Sequence, residues 1–294
     1  MKICTTVQEM RALVRESRAE SRRDAGEGAR ATLGFVPTMG ALHEGHLSLV
    51  RAAKAQCEVV AVSIFVNPTQ FGPTEDFSKY PRTFERDCEL LEKEGVDVVF
   101  APTVKEMYPA GATTFVTVEG LSERLCGRSR PGHFRGVTTV VAKLFHIVEP
   151  DKAFFGQKDA AQVAVIRRMV RDLRMAVQIV VCPIVREADG LAMSSRNAYL
   201  DAEQRKSALV LSRALREVES VFARGERDVR KLIAAGKREF ETVGSVRLDY
   251  IEVVDPESLE AMREVNRPAL VAVAAFVGTT RLIDNVVVEG AFPR

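Results

Sequence analysis

Two histidines, His43 and His46, lie three positions apart in the segment 37–46, PTMGALHEGH. The segment follows a strand-like apolar run and opens a run with helical spacing, so it falls at the carboxyl end of a strand. Both imidazoles then share one face of the first helical turn, where they and the main-chain N–H groups form a site suited to a phosphate. Gly40 and Gly45 let the backbone turn and pass close to a ligand. The alternative is a capping turn with solvent-exposed histidines, but two of the chain's four histidines at this one place favour the phosphate site.

The HEGH string in this segment differs from the zinc-binding motif of metalloproteases. That motif needs two histidines four positions apart with a glutamate after the first, whereas the spacing here is three. A third ligand is not evident, so the pattern does not favour a zinc site.

Uncharged polar side chains follow the next predicted strand in the segment 67–71, NPTQF. Asn67 and Gln70 can hydrogen-bond to hydroxyl groups and to a carboxylate without forming a fixed ion pair. Taken alone, the segment favours a simple Asn-Pro turn. Its position at the end of a strand keeps substrate binding open as the second reading.

A third polar segment, 156–162 (GQKDAAQ), again joins a strand end to a helix start. Lys158 is a candidate phosphate ligand, although a lone lysine is more often a solvated surface charge. Asp159 has the residue type and position of a helix N-cap. Gln162 extends the apolar face of the following helix toward the strand ends, so it needs a buried partner, which a substrate could supply.

Two further segments are rich in groups that bind anions. The segment 193–196 (MSSR) offers two hydroxyls and a guanidinium, and at a domain boundary it is a candidate lid over an active site. The segment 127–136 (GRSRPGHFRG) is basic and rich in turn residues. It could meet a carboxylate or a diphosphate, and it could equally be a structural loop or a subunit contact.

Apolar runs and amphipathic segments alternate through the first part of the chain. The runs predict strands at 32–37, 58–67, 97–101, 152–155 and 177–185, and helical spacing predicts helices at 46–56, 81–94, 136–147 and 159–173. In the last of these helices, Ile166, Met169, Val170 and Leu173 are expected to face inward. Strands that are apolar throughout and separated by helices predict a doubly wound parallel α/β sheet, which binds ligands outside the carboxyl ends of its strands.

The pattern changes after Val185. Helices are predicted at about 201–224 and 228–242, and strands at 248–254, 269–277 and 282–288. We therefore predict a Rossmann-like domain over residues 1–185 and a smaller α+β domain over 186–294. The charged stretch 17–30 is expected to be the end of a first helix followed by a solvated loop, with a basic patch as the less favoured reading.

The composition excludes several classes of protein. With 294 residues, 46% hydrophobic, 28% charged and a formal net charge of +2, the chain is neither disordered, fibrous nor a disulfide-stapled mini-domain. The balanced charge gives no reason to expect nucleic acid or an anionic membrane as partner, no run is long enough to span a membrane, and the charged N-terminus does not resemble a signal peptide. Five scattered cysteines fit reduced thiols in a cytosolic protein; Cys57 and Cys182 are expected in the core rather than in catalysis.

Taken together and in this order, PTMGALHEGH, NPTQF, RPGHFRGVTTVVAKLF, GQKDAAQ and MSSRN resemble the pantothenate synthetase family, the ATP-dependent ligases that join pantoate to β-alanine. The resemblance covers nearly the whole chain. The family belongs to the HIGH-motif nucleotidyltransferases, and here the HIGH element is 43–46, with 193–196 in place of the KMSKS loop. The clearest departure is the longer charged stretch before Thr32, which puts no site residue in doubt.

The resemblance implies two half-reactions. The carboxylate of pantoate attacks the α-phosphate of ATP, which gives pantoyl adenylate and pyrophosphate; the amine of β-alanine then attacks the acyl carbon and expels AMP. Such chemistry needs no nucleophile from the protein, which agrees with the lack of a Ser-His-Asp or Cys-His arrangement in the motifs. The protein aligns the substrates and stabilises charge on the α-phosphate.

The resemblance also implies roles for residues. His43 and His46 would contact ATP phosphates, with His46 at the position usually labelled proton donor. The other phosphate-binding positions are Lys158, Ser194, Ser195 and Arg196. The remaining nucleotide-binding positions are Met39, Gly40, Ala41, Leu42, Glu44, Gly45, Gly156, Gln157, Asp159, Val185 and Met193. The positions for pantoate and β-alanine are Pro37, Thr38, Asn67, Gln70 and Gln162.

The same resemblance implies Mg²⁺ bound to the ATP phosphates. The ion could also reach Asp87, although that residue could instead be only a solvated acid on a helix. The family is typically a cytoplasmic homodimer. We hypothesise that His43, His46, Lys158 and Arg196 act as one electrostatic clamp on the phosphates.

Two rival functions remain open. A simple adenylyltransferase of the same superfamily would stop at the nucleotide adduct and would make no amide. A non-catalytic nucleotide- or RNA-binding module would bind ATP without releasing pyrophosphate. The balanced charge and the lack of an aromatic-studded basic surface argue against RNA.

Overall fold

The computed structural model describes residues 1–25, 31–73, 75 and 77–290. The chain forms two compact units. Unit 1 comprises Met1–Ser122, Arg130–Gly156 and Val165–Cys182, and unit 2 comprises Glu123–Ser129, Gln157–Ala164 and the chain from Pro183 onward. Part of the charged stretch 17–30 lies outside the described residues.

Unit 1 is built on a six-stranded parallel sheet. Its strands are β1 (Lys2–Cys4), β2 (Leu33–Thr38), β3 (Val59–Ile64), β4 (Val98–Phe100), β5 (Lys152–Gly156) and β6 (Gln178–Cys182). They lie in the order β1-β4-β3-β2-β5-β6, and every pair is parallel. The predicted doubly wound parallel sheet is confirmed, and β1 is an additional edge strand that the sequence analysis did not predict.

The strand order reverses at β2, because β3 pairs with one side of β2 and β5 with the other. At such a switch point the connections leave the sheet on opposite faces and open a crevice at the carboxyl ends of the strands. The segment that carries His43 and His46 starts directly after β2, and the segment that carries Gln70 follows β3. The topology therefore places both at the edge of the sheet where ligands bind.

Ten helices occur in the described part of the chain. They are α1 (Val7–Ala25), α2 (Glu44–Lys54), α3 (Phe84–Lys93), α4 (Val104–Met107), α5 (Cys126–Ser129), α6 (His133–Val148), α7 (Ala160–Asp172), α8 (Ala202–Ala208), α9 (Val210–Ala223) and α10 (Val229–Glu241). Short 3₁₀ turns cover Pro68–Gln70, Leu121–Glu123, Gln157–Asp159 and Ser195–Tyr199. None of the helices in residues 1–25, 31–73, 75 and 77–290 has the length and apolar character needed to cross a membrane.

The apolar face of α2 shows how a helix is attached to the sheet of unit 1. Leu49, Val50 and Ala53 are buried and belong to one apolar cluster with Val36 of β2 and Val60 of β3. Their helical spacing brings three apolar side chains to the same face. Cys57 and Cys182 lie in this cluster too, so the prediction that both are core residues is confirmed.

Unit 2 contains a three-stranded antiparallel sheet of β7 (Val246–Val254), β8 (Ala269–Val277) and β9 (Thr280–Val288), with β8 in the centre. Helices α9 and α10 pack on it, and all but one of the nine residues of β8 are buried. The smaller α+β fold predicted for this part of the chain is confirmed.

Two local predictions were wrong. The helix expected over 201–224 is divided into α8 and α9 at Leu209, whose N–H donates to the carbonyl of Lys206 three residues earlier in a 3₁₀ closure. Leu173 was expected to face inward but is 53% exposed, because α7 ends at Asp172 and the helical periodicity no longer applies.

Candidate active site

The loop that follows β2 has an unusual backbone. Gly40 and Ala41 both adopt the left-handed conformation, with φ of 80° and 51°. Just before them, Thr38 donates its hydroxyl to the carbonyl of Ser63 at 2.7 Å and accepts the N–H of Gly40 at 3.1 Å. A left-handed alanine is unfavourable by itself, so neighbouring groups must hold the loop in this shape.

Asp87 on α3 is one of those groups. Its side chain is fully buried, and its two carboxylate oxygens accept the main-chain N–H groups of Ala41 at 2.8 Å and Leu42 at 2.9 Å. The hydroxyl of Thr83 donates to the same carboxylate at 3.1 Å. The reading of Asp87 as a solvated helix acid is therefore wrong: the carboxylate is an internal anchor for the loop.

This arrangement does not fit Asp87 as a direct ligand of Mg²⁺. The carboxylate is inaccessible to solvent, and each of its oxygens already accepts a main-chain N–H. Across residues 1–25, 31–73, 75 and 77–290, no group of three or more His, Cys, Asp or Glu side chains is arranged to hold a metal ion. An ion that arrives on the phosphates of ATP needs few protein ligands, so the chemistry does not require such a group.

The loop delivers His43 to the N-terminus of α2. Nδ1 of His43 accepts the N–H of Gly45 at 3.1 Å, and the N–H of His43 donates to Nδ1 of His46 at 3.3 Å. The two rings lie 4.1 Å apart between centroids, so the prediction that they share one face of the first turn is confirmed. Because each Nδ1 accepts a main-chain N–H, the hydrogen bonds assign an imidazole N–H to Nε2, and such a donor suits a phosphate oxygen.

Gln70 ends the 3₁₀ turn after β3, and three groups of unit 1 hold it in place. Its Oε1 accepts the side-chain N–H of Asn67 at 3.1 Å, and its Nε2 contacts the sulfur of Met39 at 2.9 Å. Its main-chain carbonyl lies 2.8 Å from Nδ1 of His133. The turn therefore comes with its glutamine side chain already oriented.

Asn67 forms the Asn-Pro turn that the segment taken alone favoured, since it caps the 3₁₀ turn Pro68–Gln70. It is only 1% exposed, and its amide also donates to the carbonyl of Gly136 at 3.2 Å and accepts the hydroxyl of Tyr108 at 2.8 Å. Asn67 thus forms both the Asn-Pro turn and the support of Gln70. Tyr108 was missed by the sequence analysis; its burial raises the pKa of the phenol, so it remains a neutral donor.

The basic segment 127–136 is mostly neutralised by partners inside each unit. In unit 1, Arg130 donates to Glu75 at 2.8 Å, and in unit 2 Arg128 pairs with Glu252. The guanidinium of Arg135 stacks 3.8 Å above the ring of Phe115. These contacts favour the structural reading of the segment over direct binding of a diphosphate.

In unit 2, Lys158 lies in the 3₁₀ turn Gln157–Asp159 and lines a small pocket together with Ser194, Asn197 and Asp284. Ser194 caps the next 3₁₀ turn, since its hydroxyl accepts the N–H of Arg196 at 3.2 Å. The structure thus brings the lysine of one predicted segment close to the serine of another.

The remaining predicted positions fall as follows. The carbonyl of Val185 accepts the N–H of Met193 at 3.0 Å, which closes the loop that leads to Ser194. Gly156 ends β5, and Asp159 is the last residue of the 3₁₀ turn Gln157–Asp159 and directly precedes α7. Gln162 is half-buried on α7.

Comparison with known proteins gives a consistent result. A family model described as pantoate-beta-alanine ligase matches residues 2–287. The pantothenate synthetase of Acidobacterium capsulatum is 67% identical over 289 residues, which cover 97% of this chain and 96% of that protein. The pantothenate synthetase of Koribacter versatilis is 57% identical over 291 residues, which cover 99% of this chain and 97% of that protein.

Solved structures agree with these relatives. The pantothenate synthetase of Thermus thermophilus superposes with a TM-score of 0.89 at 47% identity and covers 97% of this chain and 99% of its own. The pantoate-beta-alanine ligase of Francisella tularensis, solved in complex with beta-gamma ATP and beta-alanine, has a TM-score of 0.78 at 33% identity and covers 98% of this chain and 97% of its own.

Proposed function

The chain belongs to the pantoate-beta-alanine ligase family, whose enzymes include the pantothenate synthetases, and from that membership we propose its reaction in atomic detail. In the first step, a carboxylate oxygen of (R)-pantoate forms a bond to the α-phosphorus of ATP. The bond from that phosphorus to the bridging oxygen breaks, and pyrophosphate leaves. In the second step, the amine of β-alanine attacks the acyl carbon, the bond from that carbon to the AMP oxygen breaks, and pantothenate and AMP are released.

The observation that carries this proposal is the anchored loop at the N-terminus of α2. Asp87 holds the main chain of Ala41 and Leu42, and the ring of the next residue, His43, lies 4.1 Å from the ring of His46 and is tilted from it by 42°. Two imidazole N–H donors at the positive end of a helix can stabilise negative charge without being reorganised during the reaction. That is what adenylation needs at the phosphates.

The acid substrate requires groups of another kind. We assign pantoate to Gln70 and Gln162, whose amides can both donate to a carboxylate and accept from a hydroxyl. Gln70 is supported by Asn67 and Met39, so its orientation costs little rotamer entropy when substrate binds. Pro37 and Thr38, at the end of β2, complete the positions that we assign to the acid.

The cations belong to the nucleotide in this proposal. Lys158, Arg196 and the hydroxyls of the segment 193–196 bind ATP phosphates, and Mg²⁺ enters with ATP as part of the substrate. When bound, the ion neutralises charge on the phosphates and keeps most of its water ligands. We further propose a cytoplasmic homodimer, as the resemblance implies.

The acyl-transfer step depends on AMP as the leaving group and not on a nucleophile from the protein. Adenylation turns a poor leaving group, a carboxylate oxygen, into a good one, so no covalent intermediate with the protein is required. The adenylate is prone to hydrolysis, so the loop 186–197 should exclude water while it exists.

A single-turnover measurement tests this assignment. We expect Lys158→Ala to slow pyrophosphate release from ATP and pantoate by about a hundredfold or more, as for the loss of an oxyanion-site donor. Lys237→Ala, which removes an exposed lysine of unit 2, is the control and should react at the wild-type rate. A normal rate in Lys158→Ala would remove the lysine from the proposed clamp.

Product analysis separates the proposal from its rivals. With β-alanine present, the ligase forms an amide and AMP. An adenylyltransferase would release pyrophosphate but form no amide, and a passive binding module would bind ATP and release no pyrophosphate.

A further inference from the structure

Asn285 lies in β9 and is only 3% exposed, although its side chain is polar. Within unit 2, its amide nitrogen donates to two consecutive main-chain carbonyls, those of Gln157 at 3.0 Å and Lys158 at 2.9 Å. Its amide oxygen accepts the side-chain N–H of Gln157 at 3.0 Å. Both N–H groups and the oxygen of this buried amide are therefore used on one short turn.

The turn that Asn285 holds has little to fix it from within. It is a 3₁₀ turn of three residues, Gln157–Asp159, and turns of that length have few internal hydrogen bonds. Lysine has a long side chain with many rotamers, so the place of its ammonium depends first on the position of its own main chain. Two donors on adjacent carbonyls restrict that main chain in both position and orientation.

Asn285 is itself held in place by its neighbour in β9. The N–H of Asn285 donates to Oδ1 of Asp284 at 2.8 Å. The same carboxylate accepts hydrogen bonds from both terminal nitrogens of Arg186, at 2.6 and 3.0 Å, and Asp284 is only 3% exposed. A bidentate pair of this kind has a defined geometry, so the support behind Asn285 is rigid.

We propose that Asn285 is a positioning residue for Lys158: it fixes the main chain of the turn so that the ammonium meets the nucleotide phosphates in the transition state. The inference rests on the proposed function, because it assumes that Lys158 binds phosphate. Asn285 is not assigned to any substrate and acts only through the turn. No local sequence pattern indicates this role, since 127 positions separate Asn285 from Lys158.

The alternative is that Asn285 only stabilises unit 2. A purely structural role would lower the thermal midpoint and the amount of active enzyme, but it would leave the kcat of the folded fraction unchanged. A positioning role lowers kcat itself, since a displacement of about 1 Å can cost on the order of a hundredfold in rate. It also makes the effect depend on the presence of Lys158.

The decisive experiment is a double-mutant cycle on the full chain with ATP, pantoate and β-alanine. We expect Asn285→Ala to lower kcat by about tenfold to a hundredfold, with the KM for pantoate changed by less than about twofold. In the Lys158→Ala background, the same substitution should lower kcat by less than about twofold further, because the group that it positions is gone.

Two further variants keep the test independent of folding. Asn285→Asp preserves the shape and the acceptor for Gln157 but removes both donors, so it should reproduce the loss of kcat. Val288→Ala removes buried apolar volume three residues further along β9, and it should lower the thermal midpoint while leaving kcat within about twofold of wild type.

The outcomes are distinct. Full additivity of Asn285→Ala and Lys158→Ala, or an equal loss of kcat in Val288→Ala, would overturn the positioning role. A normal kcat in Asn285→Ala alongside an impaired Lys158→Ala would overturn it as well and leave the proposed function standing. A normal rate in Lys158→Ala would instead reject the phosphate role of the lysine, and the inference with it.

Discussion

Asp87 and Leu42 are 45 positions apart in the chain, yet Oδ1 of Asp87 accepts the main-chain N–H of Leu42 at 2.9 Å. The other oxygen holds Ala41, which has a left-handed backbone. A buried carboxylate that accepts only uncharged donors is costly unless its hydrogen bonds are complete. Because this carboxylate fixes the loop before His43, we infer that the shape of the loop matters enough for function to offset that cost.

Replacing Asp87 tests this relationship. In Asp87→Asn, an NH₂ group faces a main-chain N–H, so two donors oppose each other. We expect the free energy of unfolding to fall by about 1–3 kcal/mol. We also expect kcat for pantothenate formation to fall by about tenfold or more, because the loop positions His43. Urea denaturation and steady-state kinetics measure the two effects.

Glu85→Gln is the matched control, since it makes the same chemical change at an exposed position on the first turn of the same helix. It should leave both quantities close to wild type. Wild-type kinetics in Asp87→Asn, or an equal loss in the control, would contradict the anchoring role.

Gly136 provides a second test, because α6 approaches the turn that carries Gln70 very closely. A Cβ on Gly136 would lie 2.2 Å from the carbonyl oxygen of Thr69 and 2.6 Å from the main-chain nitrogen of Gln70. Gly-to-Ala substitution within a helix normally stabilises by up to about 1 kcal/mol. Here we expect the opposite sign, with a loss of about 1–3 kcal/mol, because main chain cannot yield as a side chain can.

The kinetic signature of Gly136→Ala should follow from the displaced turn. Gln70 is assigned to pantoate, so the KM for pantoate should rise while the KM for ATP changes less. Isothermal denaturation with steady-state kinetics on both substrates gives the answer. An enzyme that is more stable than wild type, with unchanged KM for pantoate, would show that the contact imposes nothing on the site.

The ion pair of Glu75 and Arg130 predicts a pH dependence of stability. Burial alone would raise the pKa of Glu75, but the hydrogen bond and charge of Arg130 outweigh it and hold this pKa below the ordinary value of 4.5. A carboxyl with a depressed pKa in the folded state stabilises the fold above its unfolded pKa. That contribution is lost as pH falls below about 4.5 through the folded pKa.

We therefore expect the free energy of unfolding of Glu75→Gln to be lower than that of wild type at pH 7 by about 1 kcal/mol or less. This gap between the two free energies should close as pH falls below 4.5. Urea denaturation at pH 7 and at pH 3.5–4.5 measures it. Glu241→Gln, at an exposed residue of α10, should show no such closing gap. A gap that persists unchanged into acid would rule out the ion pair as its origin.

The thiols give a fourth prediction. All five cysteines are free, and only Cys88 is not fully buried. Desolvation raises the pKa of Cys4, Cys57, Cys88 and Cys182, so few thiolates exist at neutral pH. An aromatic disulfide reagent should label the native enzyme slowly, with Cys88 first, and all five thiols after unfolding.

Activity should not depend on that thiol, because the proposed reaction uses no enzyme nucleophile. Cys88→Ser should retain kcat within about twofold and abolish the first labelling phase. Rapid labelling of a different thiol with loss of activity would point to a cysteine within reach of substrate.

Local sequence patterns were sufficient for most of the fold. The apolar runs predicted β2, β3, β5 and β8 to within a few residues, because buried parallel strands and the central strand β8 have no polar face to confuse the pattern. β1 was missed because three residues carry too little signal. The domain boundary that the sequence predicts near Val185, with a second domain over residues 186–294, remains a prediction.

The candidate site likewise has a part that the sequence predicted and a part that it did not. The pairing of His43 with His46 follows from a spacing of three at a helix start, and the order of five motifs was enough to identify the family. The support behind those residues was not predictable, since it joins positions far apart: 41 between Tyr108 and Asn67, 46 between Asp87 and Ala41, and 128 between Asn285 and Gln157. Periodicity reports only on neighbours along one element, whereas such contacts arise when strands and helices from distant parts of the chain meet.

By itself, then, the sequence determined the parallel sheet, the polar segments at the ends of its strands and the chemistry that their side chains can perform. Only the tertiary structure decided that Asp87 is a buried anchor rather than a solvated acid, that Asn67 supports Gln70, and that Asn285 holds the turn of Lys158. The physical reason is that residue type sets which hydrogen bonds a side chain can make, while burial and long-range packing decide which of them it does make.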